Sequence, residues 1–225
     1  MFITISTTLP TLQRKNFNFP IVTERLIIRP LVPSDLEAYY SFRSQPEGMR
    51  HSRRGVPDAN IGETKARLEK LQENSPNTVA YCGVFLKKSD NSEGELIGDG
   101  GMWDIKSEQT GWPVLGFKSK KEHWGKGYST EFTKAYMQFW WGLERTVQEI
   151  SVEFTSLVGG NEIPPSSLLP VRQVTEQMYA WTTKDNTEAQ KVLKKAGFKS
   201  WDGLDTGLVN FQMENPSLKG FVGKL

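Results

Sequence analysis

The sequence predicts a single domain of the α/β class, with β-rich runs and amphipathic helical patterns alternating along its 225 residues. Three observations carry this expectation. A Gly-bearing turn, Trp124-Gly125-Lys126-Gly127, runs into a helix with one apolar stripe. Two β-rich runs, 79–86 and 95–105, flank the polar turn 87–94. A shorter helical pattern opens at Asp185 or Asn186, directly after the strand-like run 178–183.

In chain order, residues 1–22 lack any acidic side chain and read as an N-terminal arm preceding a domain at 23–215, with a tail at 216–225. Thr23 to Leu31 is β-rich and stopped by Pro30. Ser34 and Glu37 have the spacing of a capping box, so a helix is expected from about Ser34, with Leu36, Tyr39, Tyr40 and Phe42 on its apolar face. Asn60 and Glu63 repeat the signal before Ala66, Leu68 and Leu71. Between the two lies a basic loop, Met49 to Gly55, read either as a solvated surface loop or as a segment that helps select a substrate. Gly98, Gly100 and Gly101 are too many for a smooth strand and imply bulges or close approach of another backbone or ligand. Trp112 to Lys118 is the next strand.

The apolar stripe after the Gly turn comprises Phe132, Ala135, Tyr136, Phe139, Trp140 and Leu143, which places Gly125 and Gly127 at a helix N-terminus. First-turn N–H groups have no intrahelical partner and the helix dipole makes that end positive, so a pyrophosphate can dock there. Beyond this helix, Gly159-Gly160, Pro164-Pro165 and Pro170 break any regular element from about 157 to 170. That insertion walls the substrate site, mediates a homodimer, or is a disordered excursion. After the strand 178–183, a helix with Ala189, Val192, Leu193 and Ala196 on its buried face ends at Gly197. The runs 198–201 and 208–213 form a closing hairpin.

Composition narrows the chemistry. Charged residues are 24% of the chain and the net charge is +2, so no nucleic-acid footprint is present. With no 18-residue apolar span, a transmembrane helix is not expected. Cys82 alone excludes an internal disulfide and suits a reducing compartment, hence a cytoplasmic location, with a weak organellar flavour in the first residues. Two histidines without ligand spacing argue against a metal enzyme.

The stretch Trp124-Gly125-Lys126-Gly127-Tyr128-Ser129-Thr130-Glu131 resembles the acetyl-coenzyme A loop of the GCN5-related N-acetyltransferase (GNAT) superfamily, in particular its RimJ/RimL-like, ribosomal-protein N-terminal acetyltransferase branch. Asn186-x-x-Ala189-x-x-Val192-Leu193-Lys194-Lys195-Ala196-Gly197-Phe198 resembles a second signature of the same family. The two stand in the family's order and each follows a strand. One departure is Glu122, where the family loop begins with Gln or Arg.

The resemblance covers about 23–213 and implies a mixed, mostly antiparallel, twisted sheet flanked by helices, with splayed central strands. It implies acetyl-coenzyme A as cosubstrate, no metal, and a primary-amine acceptor, either a protein N-terminus or a small molecule. The implied coenzyme contacts are Phe117, Lys118 and Ser119 along the pantetheine arm; Trp124, Gly125, Lys126, Gly127, Tyr128, Ser129 and Thr130 in the cradle; and Asn186, Lys191 and Lys194 beside the arm and adenosine phosphate. The reaction implied is direct attack of the amine on the thioester, with the backbone N–H of Phe117 as oxyanion donor. Asp99, Asp104 and Glu95 are the carboxylates placed to act as base, and Tyr128 or Tyr179 the candidate acid, because Ala189 and Leu193 occupy positions where relatives carry Ser or Tyr. Loss of those acids leaves a non-catalytic acyl-coenzyme A sensor as the alternative.

Overall fold

Residues expected as an N-terminal arm form a strand, β1 (Phe2–Pro10), in the computed structural model, which describes residues 1–13, 17–73, 75, 78, 80–157, 172–201 and 207–218. The correction has a simple cause. Ile5, Thr7 and Leu9 alternate with Thr4, Ser6 and Thr8, and the first set is buried. β2 (Ile21–Val22) folds back on β3 (Leu26–Arg29), which Pro30 ends. The next helix begins as a 3-10 turn at Pro33–Asp35 and continues as α1 (Leu36–Arg43). Its cap is not the expected Ser34. Asp35 Oδ2 accepts the Val32 N–H at 2.7 Å while Arg29 clamps the same carboxylate, so Asp35 is already held in place. α2 (Pro46–Met49) is one turn, and α3 (Ile61–Gln72) starts as expected, with Asn60 Oδ1 accepting the Glu63 N–H.

β4 (Tyr81–Lys87) and β5 (Glu93–Asp104) form the central hairpin, and β6 (Val114–Ser119) pairs antiparallel with β5. The glycines of β5 mark both bulged register and close approach. A side chain at Gly98 would meet the Lys118 carbonyl, and one at Gly100 the Phe132 ring. Gly101, at φ 136°, sits where the Tyr136 hydroxyl bridges the two strands, accepting from Met102 N–H and donating to the Ala80 carbonyl.

α4 (Tyr128–Gly142) follows, with Phe132, Tyr136 and Trp140 buried, each worth about 1.5–3 kcal/mol of transfer free energy. Its successor, β7 (Arg145–Glu153), has no clear signal in the sequence. It pairs along its full length with β1, and β8 (Arg172–Gln173) adds to the other side of β1, giving a separate three-stranded sheet. The insertion expected at 157–170 lies, Leu157 apart, outside the described residues. β9 (Gln177–Thr183), α5 (Thr187–Ala196), β10 (Lys199–Trp201) and β11 (Leu208–Glu214) complete the chain; Gly197 closes α5 in the left-handed region and Phe198 N–H returns to the Leu193 carbonyl.

Among the described residues the main sheet has eight strands in the order β10-β11-β9-β6-β5-β4-β3-β2, antiparallel except between β6 and β9. Strand alternation sorts its two faces. Leu26, Ile28, Cys82, Val84 and Ile97 pack with Phe132 and Tyr136 of α4 and Leu193 of α5. Ile27, Tyr81, Phe85 and Leu96 pack on the opposite face with Tyr39 and Phe42 of α1 and Leu68 of α3. Among the described residues no helix is long and apolar enough to cross a membrane.

Candidate active site

β6 and β9 are parallel neighbours joined at one position only, Val114 opposite Tyr179. Beyond it they part, and an open cleft of about 790 Å³ runs between them, connecting the two faces of the sheet. Gly116, Phe117, Lys118 and Ser119 line one wall and Ala180, Trp181 and Thr182 the other. The unpaired edge of β6 is a surface on which an extended ligand can bind as an added strand.

On the α4 face, Gly125 and Gly127 of the turn line this cleft. Gly125 has φ 71° and Gly127, the N-cap of α4, has φ 84°; both are left-handed conformations that favour glycine. The chain therefore reverses into the helix with its first-turn N–H groups unpaired, and Tyr128, Ser129 and Thr130 line the opening. Glu131 anchors the turn from behind. It accepts from Thr23 Oγ1 (2.6 Å), Arg25 N (2.9 Å) and Arg25 Nε (2.7 Å), while Arg25 Nη1 donates to the Lys126 carbonyl and stacks over the Tyr128 ring. Burial pushes the Glu131 carboxyl up, but Thr23 and Arg25 outweigh it and hold it below the ordinary range. Trp124, 46% exposed, donates its indole N–H to the Ser119 carbonyl, tying the turn to the end of β6. At the N-terminus of α5, Asn186 lines the cleft and its Oδ1 accepts the Ala189 N–H. Two helix N-termini thus face one opening, a donor set suited to an anionic ligand.

Several expected residues sit elsewhere. Lys126 does not line the cleft, and its carbonyl is used by Arg25. Lys194 is exposed outside it, whereas Lys191, paired with Glu188, and Lys195 line it. Glu122 turns away and accepts from Gln45 Nε2. Asp104 is also outside the cleft, accepting the Lys106 N–H in its own turn. Tyr179 is buried and donates to Asn210 Oδ1, and burial raises its hydroxyl above the ordinary range. Glu95 is held by Lys120 (2.7 Å) and His123 (3.1 Å).

Asp99 is fully buried beneath the cleft rather than in it. Tyr39 Oη donates to Oδ2 at 2.7 Å, and Lys118 Nζ lies 2.8 Å from Oδ1 while also donating to Tyr81 Oη at 2.9 Å. Burial pushes this carboxyl up, but Lys118, Arg43 and Arg67 outweigh it and hold it below the ordinary range. A carboxylate so stabilised is a poor proton acceptor and a good anchor for Lys118 and Tyr81.

The α1/α3 face holds residues the sequence alone does not single out. Arg43, Asp58, Arg67, Tyr81 and Trp103 line this end, together with His51 to Arg54 of the basic loop. The loop is tethered across the parting. Arg50 Nη2 reaches Asp185 Oδ2 at 2.9 Å, and His51 Nδ1 lies 3.0 Å from Thr183 Oγ1. One signal is present in the sequence, the run Arg50-His51-Ser52-Arg53-Arg54, but only the fold brings it over β9.

Among the described residues there is no cluster of His, Cys, Asp or Glu able to hold a metal ion. No curated protein sequence matches this chain. Solved structures do. A GNAT-family acetyltransferase from Bacillus anthracis superposes with TM-score 0.57 at 18% identity, covering 88% of this chain and 99% of that one. A candidate ribosomal-protein-serine acetyltransferase from Vibrio cholerae gives TM-score 0.57 at 15% identity over 88% and 98%. A spermidine N-acetyltransferase from Vibrio cholerae, in complex with CoA and spermine, gives 0.54 at 14% over 86% and 97%. At these identities the likeness is one of fold. The family model for the acetyltransferase (GNAT) domain matches residues 25–199, which takes in β3, the hairpin, the Gly turn and the Asn186 helix. This chain belongs to the GNAT acetyltransferase family.

Proposed function

We propose that this chain transfers the acetyl group of acetyl-coenzyme A to a primary amine, both substrates being bound together across the cleft. The observation that carries the reading is the parting of β6 and β9 directly beside the Gly127-capped start of α4, which joins an anion cradle to an open strand edge. The fit is specific. A side chain at Gly127 would need φ 84° and would lie 3.4 Å from Arg25 Nη2, so the cradle requires glycine there. Gly125 to Thr130 hold the pyrophosphate, Gly116 to Lys118 pair with the pantetheine arm, and Asn186 and Lys191 approach from α5. Ser119, whose carbonyl accepts from the Trp124 indole, lies where the arm leaves the cradle.

The thioester supplies an acyl group already activated for attack. What the protein adds is position and charge stabilisation, with the Phe117 N–H directed at the developing oxyanion. The amine reaches its neutral form by passing its proton through water to His51, whose ring Thr183 and Asp185 orient. Asp99 is a positioning residue for Lys118 rather than the base. Solvent protonates the departing thiolate, because Tyr128 belongs to the pyrophosphate end, with its ring under Arg25, and Tyr179 is buried. The spelling of 124–131 supports the RimJ/RimL-like branch, and the single buried Cys82 supports a cytoplasmic setting.

Ala189 and Leu193, where relatives place acids, favour a second reading as a non-catalytic acyl-coenzyme A sensor; turnover of any amine eliminates it. Calorimetric titration with acetyl-coenzyme A tests the main reading. One-site binding that Gly127→Asp abolishes is the expected result, through both its positive φ and the repulsion of phosphate. A wild-type protein that fails to bind the coenzyme refutes it.

A further inference from the structure

The acceptor end of the cleft carries more positive charge than its carboxylates neutralise. The carboxylates there already have cations: Asp58 with Arg43 at 2.6 Å, Glu63 with Arg54 at 2.6 Å, Asp99 with Lys118 at 2.8 Å, Glu47 with Lys121 at 2.7 Å and Asp185 with Arg50 at 2.9 Å. Two guanidiniums line the same end with no ion pair among the described residues. Arg67 Cζ lies 5.7 Å from the centroid of the Tyr81 ring, and Arg53 Cζ 5.7 Å from that of Trp103. Arg67 Nε is buried with no hydrogen-bond partner. A guanidinium N–H withdrawn from water and left unpaired is costly, and its planar fork matches a carboxylate.

These arginines are not placed for the coenzyme's phosphates. Tyr81 and α3 lie on the face opposite α4, so the sheet separates Arg67 from the Gly127 cradle. They are close, instead, to where the amine must attack. A side chain at Gly116 would meet Trp103 Cδ1 at 2.9 Å, so Arg53, stacked on Trp103, stands beside the free edge of β6.

We infer that the acceptor is a primary amine carrying a carboxylate, which docks on Arg67 and Arg53 while the amine faces the edge at Gly116 and Phe117. The inference rests on the acetyltransferase reading and names its substrate class. Polyamines are disfavoured at this end, because their second cation meets the two unpaired guanidiniums. A free amino acid and a peptide with an acidic first residue share the required chemistry.

The test measures thiol release from acetyl-coenzyme A with matched acceptors: α-amino acids against their own carboxamides, peptides beginning with aspartate or glutamate against those beginning with asparagine or glutamine, and spermidine. At least one carboxylated acceptor should exceed its neutral partner by about tenfold or more in kcat/KM, with spermidine lowest; which pair shows the preference separates free amino acid from peptide. Arg67→Gln should lower kcat/KM for that acceptor by about 10- to 100-fold more than for its neutral partner, mainly through KM. Arg53→Gln, on an exposed loop, supplies the same test if the Arg67 variant folds poorly. A neutral partner or spermidine turned over as well as the carboxylated amine, no turnover of any carboxylated amine, or a preference surviving both substitutions overturns the inference. Calorimetry separates the two levels: acetyl-coenzyme A bound normally with no carboxylate preference sinks this inference alone, whereas no coenzyme binding sinks the acetyltransferase reading and this inference with it.

Discussion

Removing Lys118 should destabilise the protein more than removing the charge of Asp99, although the two form one ion pair at 2.8 Å. The asymmetry follows from their exposure. Asp99 has none, whereas the Lys118 side chain is 18% exposed at the cleft and its ammonium can turn to water. Lys118→Met leaves a fully buried carboxylate with only neutral donors, Tyr39 and Tyr81, and the more distant Arg43 and Arg67. Breaking a buried pair in this way costs about 3–5 kcal/mol; the remaining cations place this case near the lower end, about 3 kcal/mol. Asp99→Asn retains an acceptor for Tyr39 and strands only the cleft-facing ammonium, costing about 1–2 kcal/mol. The double variant should cost less than Lys118→Met alone, since no buried charge is left. Urea denaturation at pH 7 measures all three, and in a chain of this size about 3 kcal/mol corresponds to a melting shift of roughly 6–12 °C. The pH dependence has a definite sign. Because the folded carboxyl is held below the ordinary range, its contribution is present above about pH 4 and is lost as pH falls through the folded value, so the gap between wild type and Asp99→Asn closes in acid. Asp99→Asn equal to or worse than Lys118→Met, or additive costs in the double variant, refutes the argument. A folded Asp99→Asn protein that loses about 10²-fold or more in kcat would instead restore Asp99 as the base.

Two further outcomes are expected. Tyr136→Phe leaves the buried Met102 N–H and Ala80 carbonyl without the hydroxyl that joins them, costing about 2–4 kcal/mol in urea titration while the Kd for acetyl-coenzyme A at low temperature is unchanged; a loss under about 0.5 kcal/mol contradicts the role assigned to the hydroxyl. His51→Gln should lower kcat by about 10²-fold with coenzyme binding intact, and added imidazole should restore part of the rate; an unchanged kcat shows that solvent alone removes the proton.

Local signals make the cradle legible in the sequence. Gly125 and Gly127 ahead of an apolar stripe at helical spacing allow few backbone conformations, and Asn186 with Gly197 bracket α5 by capping chemistry alone. The capping box at Ser34 misleads because Asp35, held by Arg29 from the neighbouring strand, satisfies the helix start instead, and Glu93 from a third strand fixes that guanidinium. β1 and β7 escape the sequence pattern because each is half-polar, with Val147 67% exposed, and becomes a strand only by pairing across more than 130 residues.

The sequence by itself determined the fold class, the glycine turn that opens α4 and the family, since each depends on residues adjacent in the chain and on periodicities that short range imposes. Tertiary structure alone decided which polar side chains face the cleft. Asp99 and Asp104 lie on one strand, yet regular pairing sets the first directly opposite Lys118 in the interior, while the register shift after Met102 leaves the second at the strand's end, where it accepts the Lys106 N–H. Arg53 and Arg67 stand 14 positions apart in ordinary polar surroundings. Their joint charge at one opening exists only because α3 and the basic loop are packed over the face of the sheet opposite α4, where long-range contacts, not local pattern, set what is left unpaired.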